Sequence, residues 1–295
     1  MLSIHDIHIR DPYLLLHDDT YYLYGTVNDQ GFSVYWSDDL IEFEGPRLAF
    51  EPPAGFWATR QYWAPEVHRY RDRFYLFGSV NDDDNFHRAS QIFVADHPLG
   101  PFRTHSAGPI TPRPWPCLDA TLYVDEDGTP WTVFCREFIQ TYDGEMYAMP
   151  LTPDLAAPAG EPSLLFKATE APWIIRTDET AYPFGPDAIG YITDGPYLFR
   201  LSNSTLGMLW SSFSKDQYTI AAAYSVSGKV TGPWVQEQEP LLRSNGGHGM
   251  LFHDKAGRWL MPVHEPNQPA LAERTVFYEV EEREGKLAVK GKAAT

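Results

Sequence analysis

Short apolar runs that alternate with polar residues recur along the whole chain, and the spacing of an amphipathic helix is absent. One pattern returns five times: an Asp, Ala or His, then a small residue or Pro, then apolar alternation. The copies are DPYLLLHDD at Asp11, APEVHRYRD at Ala64, DATLYVDEDG at Asp119, DGPYLFRLS at Asp194 and HGMLFHDKAG at His248, separated by 53, 55, 75 and 54 residues. Each is followed by a second apolar run, YYLYGTV, FYLFGSV, WTVFCRE, LGMLWSSF or RWLMPVHE, with turn residues such as HDD and DEDG between the two. A third run follows in every copy and a fourth in several. Repeats of three to four short antiparallel strands predict an all-β, five-bladed β-propeller occupying residues 1–295 as one domain. The step from Asp119 to Asp194 carries extra residues that include KATEAPWIIRTDETAYPFG, a loop expected on one face, where it would cover a pocket.

Composition narrows the partners. The net charge of −17, with no block of Lys and Arg to offset it locally, repels phosphate backbones and anionic lipid, which argues against nucleic acid and membrane surfaces. Neutral sugars are not repelled, and aromatics at 15% supply flat apolar faces on which sugar rings pack. The two cysteines, Cys117 and Cys135, belong to no CxxC pair or Cys/His cluster and read as buried thiols. Residues Met1 to Arg10 contain no continuous apolar segment, which points to a soluble cytoplasmic protein. Oligomeric state is not encoded in the pattern.

In a propeller the first strand of each blade lies nearest the axis, so the five starting residues Asp11, Ala64, Asp119, Asp194 and His248 converge. Three carboxylates and an imidazole at one axis raise or lower one another's pKa, an arrangement that function commonly explains. The ends of the second strands return to the same face and bring Asn28, Asn81, Glu137, Ser212, His264 and Glu265 to the rim as candidates for binding substrate hydroxyls. Phe56, Trp57, Tyr62 and Trp63 are candidates for an apolar wall.

The DPYLLLHDDTYYLYGT opening, WAPEV at Trp63 to Val67, DATLYVDEDGTPW, DGPYLFR and GGHGM at Gly246 to Met250 together resemble glycoside hydrolase family 43 over essentially the whole chain. The resemblance implies a five-bladed propeller that cleaves α-L-arabinofuranosides, β-D-xylosides and some galactosides with inversion. It implies Asp11 as general base, Asp119 as the carboxylate that raises the acid's pKa, His248 as a residue binding calcium or water in the channel, and Arg274 near the base; no other cofactor is implied. The family's acid is a Glu in an EGP or EAP motif, and here the chain departs from it. Asp194 in TDGP stands at the inner-strand position, Glu170 in TEAPW has the residue type but lies 24 residues earlier, and Glu137 is a third candidate.

A funnel closed by a loop suits a terminal sugar, so the expected activity is exo-acting, α-L-arabinofuranosidase ahead of β-D-xylosidase or galactofuranosidase types, on an arabinose- or xylose-containing glycan. The rival expectation is a sugar-binding propeller without catalysis, because Asp stands where Glu is the rule.

Overall fold

Alternation sends one set of side chains to each face of a strand, and both faces here are apolar enough to be covered by neighbouring sheets. The computed structural model describes residues 1–82, 87–180, 188–215 and 217–294. Its inner strands are Arg10–His17, Arg60–Tyr70, Cys117–Val124, Asp194–Arg200 and Phe252–His253. Each pairs antiparallel with the strand that follows it, giving five sheets arranged as the blades of a propeller. The first hairpin shows why the pairing is local. Asp18 and Asp19 both take positive φ, 46° and 59°, and join His17 to Thr20 in a two-residue turn whose twist matches that of the strands.

At the axis each inner strand carries a bulge, and the bulge fixes the true alignment of the repeats. Asp11, Ala64, Asp119 and His248 have φ of 53°, 43°, 56° and 51°. In the fourth blade the residue with that conformation is Gly195, φ 53°, not Asp194. Asp194 pairs with Ser211 in the way that Arg10 pairs with Thr26, Trp63 with Ser79, Leu118 with Cys135 and Gly247 with His264. The expected alignment of Asp194 with Asp11 and Asp119 is therefore off by one residue. Gly195 is required at its position twice over: the backbone lies in the left-handed region, and a Cβ there would stand 2.8 Å from the His248 ring.

Aromatic side chains fill the seams between blades. Between the first two, Phe50 packs on Phe93 at a tilt with ring centroids 4.3 Å apart, and Phe32 meets Tyr62 edge-on at 5.4 Å. Between the third and fourth, the fully buried Trp210 contacts Trp173 at 5.0 Å and Phe166 at 5.4 Å. Trp173 belongs to the extra segment expected to cover a pocket. Its first part instead packs into this seam, where Ile175 N–H also donates to the Phe213 carbonyl, while residues 181–185 of that segment lie outside the described residues.

Among the described residues the first and fifth blades share no strand. The ring closes through side chains and one backbone hydrogen bond: Arg10 Nη1 donates to Glu273 Oε1 at 2.9 Å, Ile9 N–H donates to the Glu273 carbonyl at 3.3 Å, Lys255 N–H donates to the Tyr21 hydroxyl at 2.8 Å, and Phe252 and Phe277 pack into the core of the first blade.

Candidate active site

The bulges bring the starting residues of the inner strands to one end of the axis, where neighbouring blades are tied together by a ring of hydrogen bonds. Ala64 N–H donates to Thr26 Oγ1 at 2.8 Å, Asp119 N–H to Ser79 Oγ at 2.8 Å, and His248 N–H to Ser211 Oγ at 2.8 Å. Asp11 N–H donates to His264 Nδ1 at 3.2 Å. In each case a second-strand side chain of one blade accepts from the axial residue of the next. The fourth link differs: Gly195 N–H donates to the Asp119 carboxylate itself, at 3.0 Å.

Asp11 sits among donors. Thr26 Oγ1 donates to its Oδ2 at 2.7 Å, and His248 Nδ1 lies 3.2 Å from Oδ1. Burial alone raises its pKa, but His248, His264 and Arg10 outweigh that and hold the carboxyl well below the usual range. It is ionised at neutral pH. His264, completely buried, accepts the Asp11 N–H at Nδ1 and has Nε2 3.1 Å from Asn267 Oδ1, to which it donates; burial lowers its pKa and keeps this ring neutral.

His248 is the charged imidazole. Burial opposes its protonation, yet Asp11, and Asp119 with Oδ2 at 3.7 Å, push its pKa up to about 10. It bridges the two carboxylates as a cation. Calcium takes about six to eight oxygen ligands. Among the described residues no three His, Cys, Asp or Glu side chains are grouped for a metal, and Nδ1 of His248 is turned to the carboxylates. No step below uses a metal.

Asp119 and Asp194 are the carboxyls of the site whose pKa is raised. Burial, together with the charge of Asp11, pushes Asp119 up to about 6 in spite of His248 and the Gly195 N–H. Burial and the charge of Asp119 push Asp194 further, to about 7, against the Tyr218 hydroxyl, which donates to Asp194 Oδ2 at 2.9 Å. One carboxylate is thus ionised at neutral pH while another still holds its proton up to about pH 7, the difference that acid and base roles require.

Beside Asp194 lies Glu137, buried and paired with Arg88. Burial raises it to about 7 although Arg88 pulls it down, and its Oε2 is buried without a hydrogen-bond partner. The Arg88 guanidinium lies over the Trp63 ring at 4.5 Å and donates to Gln61 Oε1 at 3.0 Å. Trp63, Arg88 and Glu137 form a wall next to the carboxylates.

Three expected residues stand elsewhere. Glu170 is exposed in a short turn after the outer strand Ser163–Lys167, where its Oε1 accepts from Lys167 N–H at 2.9 Å; it is not brought to the cluster. Arg274 donates to the His5 carbonyl at 2.7 Å and contacts His8, on the seam between the first and fifth blades, whereas the arginine beside Asp11 is Arg10. Trp57 packs against Phe56 and donates from Nε1 to Gln91, on the seam between the first two blades. Of the expected rim residues, Asn81 donates to Gln61 Oε1, Ser212 to the Ile192 carbonyl, and Glu265 accepts from Tyr278 and Lys292. Tyr218, Arg88, Gln61 and Thr26 join the site without being among the residues the sequence pattern predicts. Only Thr26 carried a signal, its place at the end of a second strand.

The chain is 24% identical, over 86% of its length and 73% of the relative's, to an extracellular exo-α-(1→5)-L-arabinofuranosidase of Cellvibrio japonicus. That relative overturns the expectation of a cytoplasmic protein, which rested on the composition of the first ten residues alone. The structure superposes on an endo-arabinase of Bacteroides thetaiotaomicron with a TM-score of 0.89 and 40% identity, covering 97% of this chain and 99% of that one. A thermostable family-43 glycoside hydrolase matches with a TM-score of 0.81 and 26% identity over 98% and 95%. The model of Glycosyl hydrolases family 43 matches residues 4–284, and with these blades and these carboxylates the chain belongs to that family: it is a glycoside hydrolase.

Proposed function

We propose that the protein removes terminal α-L-arabinofuranosyl residues by inverting hydrolysis, with Asp11 as general base and Asp194 as general acid. The observation that carries the roles is the division of charge across one cluster: Asp11 surrounded by His248, Thr26 and Arg10, and Asp194 half-buried beside Asp119. In this reading Asp11 takes a proton from a water that attacks the anomeric carbon, and Asp194 gives its proton to the departing oxygen as the glycosidic bond breaks. Asp119 keeps Asp194 protonated, because two neighbouring buried carboxyls resist ionising together. His248 balances the charge of Asp11 and Asp119 without entering the reaction.

Arabinose as the sugar is supported by the arabinofuranosidase and arabinase among the similar proteins. Exo action and an extracellular setting are supported by the Cellvibrio relative. Trp63, Arg88 and Glu137 then bound the sugar pocket, the indole offering a face and Glu137 Oε2 an acceptor for a hydroxyl.

A panel of nitrophenyl α-L-arabinofuranosides, β-D-xylosides and β-D-galactosides tests the reading. The arabinofuranoside is cleaved fastest, and Asp11→Ala reduces that rate by about 100- to 10,000-fold. A wild-type protein that binds arabinose but releases no nitrophenol from any of them is a binding propeller, and the reading fails.

A further inference from the structure

The ring of hydrogen bonds between blades has one exception, and the residue that causes it is visible in the pairing of the strands. At the second-strand position where Thr26, Ser79, Ser211 and His264 accept the axial N–H of the next blade, the third blade carries Cys135, opposite Leu118. Sulfur is a weak acceptor. Cys135 is fully buried, and its thiol lies 3.9 Å from Met146 Sδ on the neighbouring strand. The N–H of Gly195, which in any other blade would meet a hydroxyl or an imidazole, instead donates to Asp119 Oδ2 at 3.0 Å.

Resting on the roles proposed above, we infer that Cys135 is a positioning residue: by withholding a strong acceptor it releases the Gly195 N–H to bind and orient the Asp119 carboxylate beside the acid. The thiol does no chemistry. Burial, with Asp119 and Asp194 nearby, keeps it in the neutral form. The position is selective in one direction. A small apolar residue there would leave the Gly195–Asp119 bond in place. A hydroxyl would offer the Gly195 N–H the acceptor it finds in the other blades and draw it from the carboxylate.

The consequence for the reaction has a definite sign. A hydrogen bond donated to a carboxylate favours its charged form. Without it Asp119 holds its proton to higher pH and no longer raises its neighbour, so Asp194 gives up its proton at lower pH. The alkaline limb of the pH–rate profile therefore moves down.

Two variants of the full chain separate these cases, each read in two ways. With 15N-labelled glycine, the Gly195 amide shift is followed between about pH 4 and about pH 9, a range spanning the carboxyl ionisations. In wild type and in Cys135→Ala the amide titrates with Asp119; in Cys135→Ser the amplitude falls to less than half. On an aryl arabinofuranoside, the alkaline limb of Cys135→Ser shifts down by about 0.5 to 1 pH unit while that of Cys135→Ala stays in place. Should Cys135→Ser not fold, Cys135→Thr supplies the same hydroxyl, as Thr26 does in the first blade. A Gly195 amide that titrates in the hydroxyl variant as it does in wild type overturns the inference, as does a limb that moves equally in both variants. If wild type cleaves no glycoside, the proposed reaction falls, and the amide titration still decides whether Cys135 directs the Gly195 N–H.

Discussion

At the scale of single residues, the site works by giving chemically similar carboxyls different surroundings. Asp11 has a hydroxyl, an imidazolium and a guanidinium around it, whereas Asp194 has one phenol and a second carboxyl. The proposed reaction needs Asp11 ionised and Asp194 protonated, so activity spans the interval between their pKa values. It falls as pH rises through about 7, where Asp194 loses its proton, and at the acid end it persists below the usual carboxylate range, because Asp11 is lowered. A pH–rate profile of kcat/KM checks both limbs. Tyr218→Phe removes the hydroxyl that favours the ionised Asp194. Its pKa then rises, and the alkaline limb moves up by about 0.5 to 1 pH unit. A limb that stays fixed would show that another group sets it.

At the scale of strands, the bulge at each axial residue determines which side chains reach the site. The inner strands were readable because their alternation and turn residues are local properties of the chain. The off-by-one error in the fourth blade has an equally local origin: DGP opens on an Asp, as DPY and DAT do. The signal that corrects it is the proline. Pro12 and Pro65 directly follow the axial residues Asp11 and Ala64, so the axial residue before Pro196 is Gly195. Arg88 and Tyr218 were not legible, because both come from third strands, whose approach to the axis depends on how blades pack. Glu170 misled for the opposite reason, since a familiar tripeptide context says nothing about which strand edge it will occupy. The hydrogen-bond ring makes its own prediction. Thr26→Val leaves the Ala64 N–H without its acceptor and removes one of the donors to Asp11. A buried orphan of this kind costs about 1 to 3 kcal/mol. Urea unfolding measures that loss, and a drop in kcat accompanies it; a variant as stable and active as wild type would show that the ring is incidental.

At the scale of the molecule, five sheets hold one shared site, so the seams between blades are where stability and catalysis meet. Trp210, fully buried against Trp173 and Phe166, anchors the seam between the blades that carry Asp119 and Asp194. Trp210→Ala costs about 3 to 5 kcal/mol of stability by denaturant titration. The repeat spacing made this architecture legible in the sequence, and the carboxylates followed from it; closure through Arg10 and Glu273, with no strand common to the first and last blades among the described residues, did not, because it rests on side chains 263 residues apart. What the whole assembly is proposed to achieve is the delivery of a proton by Asp194 to the departing oxygen. The most direct test compares Asp194→Asn with wild type on two arabinofuranosides, one with a good and one with a poor leaving group, alongside Glu137→Gln and Glu170→Gln. Loss of the acid should reduce the rate on the poor leaving group by about 100-fold or more and leave the activated substrate much less affected, with neither Glu variant showing that asymmetry. Equal losses on both substrates for Asp194→Asn, or the asymmetry appearing in Glu137→Gln or Glu170→Gln, would contradict the assignment.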